Sequence, residues 1–304
     1  MRRLFTSAAA FALAVLPASA QAKHRHAASY ERPVAVYTRA GQPNIQAESA
    51  TIVDLADGAE LFVKNPDEVR PIASISKLMA MLVVLDTTTG RKLDLDASTT
   101  MIESDRQIAS GGARSRLAVG QTFSNRDLLH AALMASDNRA VPALGRATGL
   151  SPAEMVQAMN KKAQELGLNS TRFEDPVGLS AQNTSTARDL VKLLKAAIAQ
   201  PLITEITQKA KYVAHPVGKP KWAIEYTNTD AVARGGHYEV LTGKTGYTDL
   251  ARYCLAIAVK LGTAAAAGEH KIAMVFLGAV GKMTRFGDFS RGAQWLTERK
   301  WASR

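Results

Sequence analysis

The sequence predicts an α+β fold: one antiparallel sheet built from both chain ends, with a helical region packed beside it. Three observations lead there. Short β-type runs occupy residues 50–64 and return in the last third of the chain. The residues between carry apolar side chains at helical spacing. No internal repeat and no linker marks a second domain, and 46% hydrophobic residues suffice for an ordinary core.

The N-terminus stands apart. Arg2 and Arg3 precede an uncharged apolar stretch over 4–16, followed by small-x-small sites at Ala18-Ser19-Ala20 and Ala20-Gln21-Ala22. Residues 1–22 therefore read as a secretory signal peptide. The apolar run is short for a bilayer span, and no other stretch is long enough, so no membrane anchor is expected after cleavage. Export to a bacterial periplasm or the cell exterior follows. Residues 23–48 are polar and read as a flexible tail, its Lys23-His24-Arg25-His26 opening solvated rather than metal-binding. A single domain is expected over 49–304.

The elements follow in order. Residues 50–55 and 59–64 form a hairpin around Asp57-Gly58. Residues 74–86 read as a buried helix. Ser124 caps a helix over 125–135. Ser151-Pro152-Ala153-Glu154 is a capping box with proline at the first helical position, and Gly167 closes that helix. Ser185 or Thr186 starts another, which stops before Pro201. Strands are expected at 238–241, 253–261 and 271–280, with an Ala-rich loop over 262–268 and a terminal amphipathic helix over 289–301.

The chain carries a net charge of +11, and loss of a leader holding Arg2 and Arg3 leaves +9. Nucleic acid is an implausible partner for an exported protein. Attraction to an anionic envelope surface and a basic surface without a specific role are equally good readings of that charge. The one cysteine, Cys254, cannot form an internal disulfide and sits in an alternating apolar run, as a buried strand thiol would.

Three short motifs carry the chemistry: Ser74-Ile75-Ser76-Lys77, Ser136-Asp137-Asn138 and Lys244-Thr245-Gly246. A chain this long holds about one Ser-x-x-Lys by chance. The three in this order form the pattern of a serine acyl-transfer site with lysine as base. Ser74 at a helix start places Lys77 on the same face one turn on. A lysine amine accepts the serine proton only if burial or nearby positive charge lowers its pKa; the apolar helix and Lys244 offer one each. The helix start also directs backbone N–H groups to where an oxyanion would form. Ser136 suits a proton relay, and Asn138 offers a donor and an acceptor to a substrate amide. Lys244 and Thr245, at a strand end, suit a substrate carboxylate. Gly246 allows close backbone approach, and an edge strand there can bind an extended peptide.

With these motifs the chain resembles the serine D-Ala-D-Ala peptidases, the low-molecular-mass penicillin-binding proteins. The resemblance spans about residues 49–296. It includes Val53-Asp54-Leu55, Pro71-Ile72-Ala73 before Ser74, Leu133-Met134-Ala135 before Ser136, Asp175-Pro176-Val177-Gly178-Leu179, and Asn183 with Ser185-Thr186-Ala187. It implies the β-lactamase/transpeptidase-like fold. It implies Ser74 as nucleophile, Lys77 as base, Ser136 as relay and Asn138 as substrate contact. Lys244, Thr245 and Gly246 would form the carboxylate site, and the N–H groups of Ser74 and Tyr247 the oxyanion hole. No metal or cofactor is implied; the implied partners are peptidoglycan stem peptides and acylating β-lactams. The chain ends soon after the third motif, most similar to the single-domain D-alanyl-D-alanine endopeptidases of the penicillin-binding protein 7 type. These cut D-Ala–diaminopimelate cross-links. Two positions depart from the family pattern: Arg252, where glycine is usual, and Asp230, where asparagine is frequent.

Three other readings use the same residues. A D,D-carboxypeptidase would trim a terminal D-Ala. A β-lactamase would need a base that activates water for fast deacylation, often the Glu of a Glu-x-x-Leu-Asn segment after the second motif. A non-catalytic wall-binding module would not need Ser74, Lys77, Ser136 and Lys244 together.

Overall fold

The computed structural model describes residues 34–86, 88, 90–219, 221–262 and 269–298. The expected leader, the tail up to residue 33 and the loop over 263–268 lie outside the described residues. Five strands form one antiparallel sheet: β1 (Ser49–Asp54), β2 (Glu60–Lys64), β3 (Glu239–Thr248), β4 (Arg252–Gly262) and β5 (Glu269–Ala279). Their spatial order is β2-β1-β5-β4-β3, so the two chain ends interleave and β3 lies at an edge. Ser49 faces Leu277 across β1 and β5, and Ala256 of β4 stands between Val275 and Lys244.

Seven helices matter for the site: α1 (Ser76–Leu85), α2 (Asn125–Leu133), α3 (Ala140–Ala147), α4 (Pro152–Glu165), α5 (Ala187–Ile198), α6 (Pro201–Gln208) and α7 (Thr284–Glu298). Ser124 caps α2 by accepting from the Asp127 N–H at 3.1 Å. Ser151 and Glu154 form the expected capping box of α4. Thr186, not Ser185, caps α5. Two of these seven helices were not anticipated. Pro142 falls in the first turn of α3, where its missing N–H costs nothing. Pro201, read as a stop, also starts α6.

Strand residues alternate between two faces, and here both faces are covered. Cys254, Ala256, Val275 and Leu277 join a core with the helical region. Leu255, Ile257, Val259, Met274 and Phe276 join a second core with Phe289, Ala293 and Leu296 of α7. Helix α1 is buried on nearly every side, as its continuous run from Leu78 to Val84 requires.

The tail expectation needs correction. From residue 35 the chain belongs to the main body, and Ile45 and Ala47 are core residues. The cause is Asp288 of α7. Its carboxylate is fully buried and accepts from the N–H groups of Gln46 at 2.7 Å and Ala47 at 2.8 Å. A buried charge needs such donors. Among the described residues no helix is long and apolar enough to cross a membrane.

Candidate active site

Ser74 sits in a 3-10 turn, Ala73–Ile75, that leads into α1. Ala73 holds a positive φ of 48°, a strained conformation for alanine. Two glycines make room for the turn. A Cβ on Gly178 would lie 2.2 Å from the Ala73 carbonyl oxygen, and one on Gly246 would lie 2.6 Å from that of Ile72. The strained turn, the 175–179 loop and β3 therefore meet directly behind Ser74.

Lys77 is fully buried one turn on. Its Nζ lies 2.8 Å from Ser74 Oγ, 2.7 Å from Asn138 Oδ1 and 2.5 Å from the Val177 carbonyl oxygen. Burial pushes its pKa down to about 7, and Asp175 and Asp137 oppose that shift. Burial is thus what lowers Lys77, and not the Lys244 charge that the sequence offered beside it. Lys244 is also lowered well below the usual lysine range, first by burial and then by the Lys77 and Arg285 charges. At neutral pH a substantial share of Lys77 is the free amine, so the pair can take the Ser74 proton.

Ser136 follows α2 with a positive φ of 59°. Its Oγ accepts from Lys244 Nζ at 2.9 Å, so the hydroxyl is tied to the third motif rather than to Lys77. Asp137 anchors the loop: its carboxylate accepts from Ser115 Oγ at 2.8 Å and from the Arg139 N–H at 2.9 Å. Asn138 gives its carbonyl oxygen to Lys77, which leaves the amide N–H₂ as its free group. That group suits a substrate carbonyl.

Lys244-Thr245-Gly246 lies inside β3, which runs on to Thr248, and not at its end. Thr245 Oγ1 donates to Thr229 Oγ1 at 2.7 Å. Tyr247 stacks on Tyr253 across the strand pair, 4.4 Å between ring centroids. A cleft of about 970 Å³ runs along this edge, lined by Ser74, Ser136, Asn138, Thr229, Thr245 and Tyr247 among others. All eight residues singled out from the sequence thus converge on one place.

Three contributors were not assigned a role from the sequence. Asp175 accepts from the N–H groups of Val177, Gly178 and Ser180, and so shapes the loop that presents the Val177 carbonyl to Lys77. Asn183 donates to Ser76 Oγ and accepts from the N–H groups of Glu174 and Asp175. Arg285 of α7 donates to the carbonyls of Gly246 at 2.9 Å and Cys254 at 3.1 Å, bracing β3 against β4. The first two lie in stretches quoted above for the resemblance; Arg285 carries no local signal. Arg252 stays outside the cleft. It pairs with Glu48 at 2.5 Å, and its φ of 55° explains why glycine suits the position. Asp230 is fully buried, which pushes its pKa up, and it caps the short helix Ala231–Gly235 through the Val232 N–H.

Residues 36–280 match the family model for D-alanyl-D-alanine carboxypeptidases, peptidase family S11. The chain belongs to this family. It is 37% identical to a D-alanyl-D-alanine endopeptidase of Escherichia coli K12, over 86% of this chain and 81% of that protein. The same identity holds for a D-alanyl-D-alanine endopeptidase of Pseudomonas aeruginosa, over 84% of this chain and 78% of that protein. The fold matches the crystal structure of the Streptomyces K15 DD-transpeptidase with a TM-score of 0.74 and 24% identity, covering 84% of this chain and 98% of that one. As a member of this peptidase family the chain is a serine-type hydrolase.

Proposed function

We propose that the protein is a D,D-endopeptidase that opens D-Ala–diaminopimelate cross-links in peptidoglycan through an acyl-enzyme on Ser74. The observation that carries this reading is the 2.8 Å contact from Ser74 Oγ to a fully buried Lys77 whose pKa is about 7. The endopeptidase names of its relatives from Escherichia coli and Pseudomonas aeruginosa support the choice within the family.

In this mechanism neutral Lys77 takes the Ser74 proton as Oγ attacks the carbonyl carbon of D-Ala. The N–H groups of Ser74 and Tyr247 stabilise the oxyanion. As the C–N bond breaks, the leaving amine takes that proton through Ser136. Water then attacks the acyl carbon, gives a proton to Lys77, and the C–Oγ bond breaks to restore Ser74. Lys244 and Thr245 hold the carboxylate beside the leaving amine, Gly246 keeps β3 close to Ser74, and Asn138 Nδ2 holds a donor carbonyl. A β-lactam acylates Ser74 in the same way. Residues 1–22 direct the chain to the periplasm and are removed.

The family description and a 32% identical D-alanyl-D-alanine carboxypeptidase of Bacillus subtilis favour a second reading, removal of a terminal D-Ala. One digestion separates the two. The protein is incubated with purified cross-linked muropeptide dimers and pentapeptide monomers, Ser74→Ala serving as control, and the products are separated by mass. Conversion of dimers to monomers is expected. Loss of one alanine from pentapeptides with dimers intact would replace the endopeptidase by the carboxypeptidase.

A further inference from the structure

The polarity of the proposed site determines where the remainder of a substrate lies. The carboxylate beside the leaving amine belongs at Lys244 and Thr245, and the scissile carbonyl at Ser74 and Tyr247. The acyl donor must therefore continue along the β3 edge past Tyr247. The cleft continues there too, lined by Tyr247, Asp249, Tyr253, Lys282 and Met283. Tyr247 and Tyr253 lie in β3 and β4, Asp249 in the turn that joins them, and Lys282 and Met283 in the turn from β5 to α7.

Each of the five has a surface to offer. The stacked rings of Tyr247 and Tyr253 make an apolar floor. Met283 is 63% exposed, a large apolar side chain left open at the cleft. Asp249 accepts from the Tyr247 hydroxyl through Oδ1 at 2.8 Å, which orients the carboxylate and leaves Oδ2 available. Lys282 has no hydrogen bond or ion pair among the described residues. An anion and a cation thus line the same cleft as these apolar side chains.

We propose that this end of the cleft is a subsite for the residue on the amino side of the scissile D-alanine. In it Tyr247, Tyr253 and Met283 hold an aliphatic side chain, and Asp249 and Lys282 pair with an ammonium and a carboxylate at its far end. A diaminopimelyl side chain carries both charges on its terminal carbon; a lysyl side chain carries only the ammonium, and norleucine neither. The inference rests on the D-alanyl reading above. Tyr247 thereby serves two purposes, its N–H at the scissile carbonyl and its ring under the donor side chain.

The test uses the full chain and three synthetic substrates ending in D-Ala-D-Ala whose preceding residue is meso-diaminopimelate, lysine or norleucine. kcat/KM is measured for wild type, Asp249→Asn and Lys282→Gln. An exposed ion pair is worth up to about fivefold, so the diaminopimelyl substrate should exceed the norleucine one by about tenfold in wild type. Asp249→Asn should lower the diaminopimelyl and lysyl substrates relative to norleucine. Lys282→Gln should bring diaminopimelyl down to the level of lysyl. Ratios within one enzyme cancel any general loss from misfolding. Equal cleavage of all three by wild type, or ratios that neither variant changes, would overturn the subsite. If none is cleaved while benzylpenicillin still acylates Ser74, the D-alanyl reading fails and takes the subsite with it.

Discussion

Lys77 makes two pH dependences calculable. Its pKa falls from 10.5 to about 7 on burial. With a pKa near 7, roughly one-tenth of Lys77 is neutral at pH 6 and roughly nine-tenths at pH 8. Acylation by benzylpenicillin needs the neutral amine, so its second-order rate should rise about tenfold across that interval and level off above it. Stability must follow in the same direction. The folded state resists protonation that the unfolded state accepts, so between about pH 7 and 10.5 the unfolded chain binds more protons and stability rises with pH. The whole effect corresponds to roughly 5 kcal/mol, fully charged against the folded state below pH 7 and gone above 10.5. Stopped-flow acylation gives the first profile. Urea unfolding of wild type and Lys77→Met at pH 6, 8 and 10 gives the second, as a difference that removes the other titrating groups. An acylation inflection near 10, or a wild-type minus Lys77→Met stability difference that stays constant with pH, would refute Lys77 as a burial-neutralised base.

Other outcomes follow from the same geometry. Gly178→Ala places a Cβ 2.2 Å from the Ala73 carbonyl at a φ of 83°, so acylation should fall at least a hundredfold and the melting temperature should drop, both measurable on purified protein. Arg252→Gly relieves a positive φ and loses one exposed ion pair with Glu48. Its net change in unfolding free energy should stay within about 1 kcal/mol, with acylation unaffected. Bound penicillin should be released slowly, because the Glu-x-x-Leu-Asn segment over 165–169 puts Glu165 at the end of α4, paired with Lys162 at 3.1 Å and not among the residues that line the cleft; rapid turnover of a chromogenic cephalosporin would contradict this.

Much of the molecule was legible before any coordinates. Alternation in β4 and β5 marked central strands, and the two faces then sorted themselves, small residues such as Ala256 toward the helices and large ones such as Ile257 toward α7. Caps at Ser124 and Ser151 located two helix starts because capping is a local hydrogen-bond requirement. Less legible were helices defined by position rather than composition. A proline can end one helix or begin the next, and Pro201 does both. The segment over 35–48 reads as polar tail because its partner, Asp288, lies some 240 residues away in sequence.

By itself the sequence determined the residue types of the reaction, their order, and the strand and helix periods that bring them to one sheet edge. These are local properties: a hydroxyl and an amine one helical turn apart, an alternation of two, a hydrogen-bonded cap. Only the tertiary structure decided the state of those groups. Lys77 has an ordinary side chain until packing removes its water and offers it Ser74 Oγ, Asn138 Oδ1 and one carbonyl. Ser136 reads in the sequence as a proton relay, and only the packing of β3 brings Lys244 to 2.9 Å from its hydroxyl. Desolvation and long-range hydrogen bonding depend on what surrounds a group in space, and residues distant in sequence supply that surrounding.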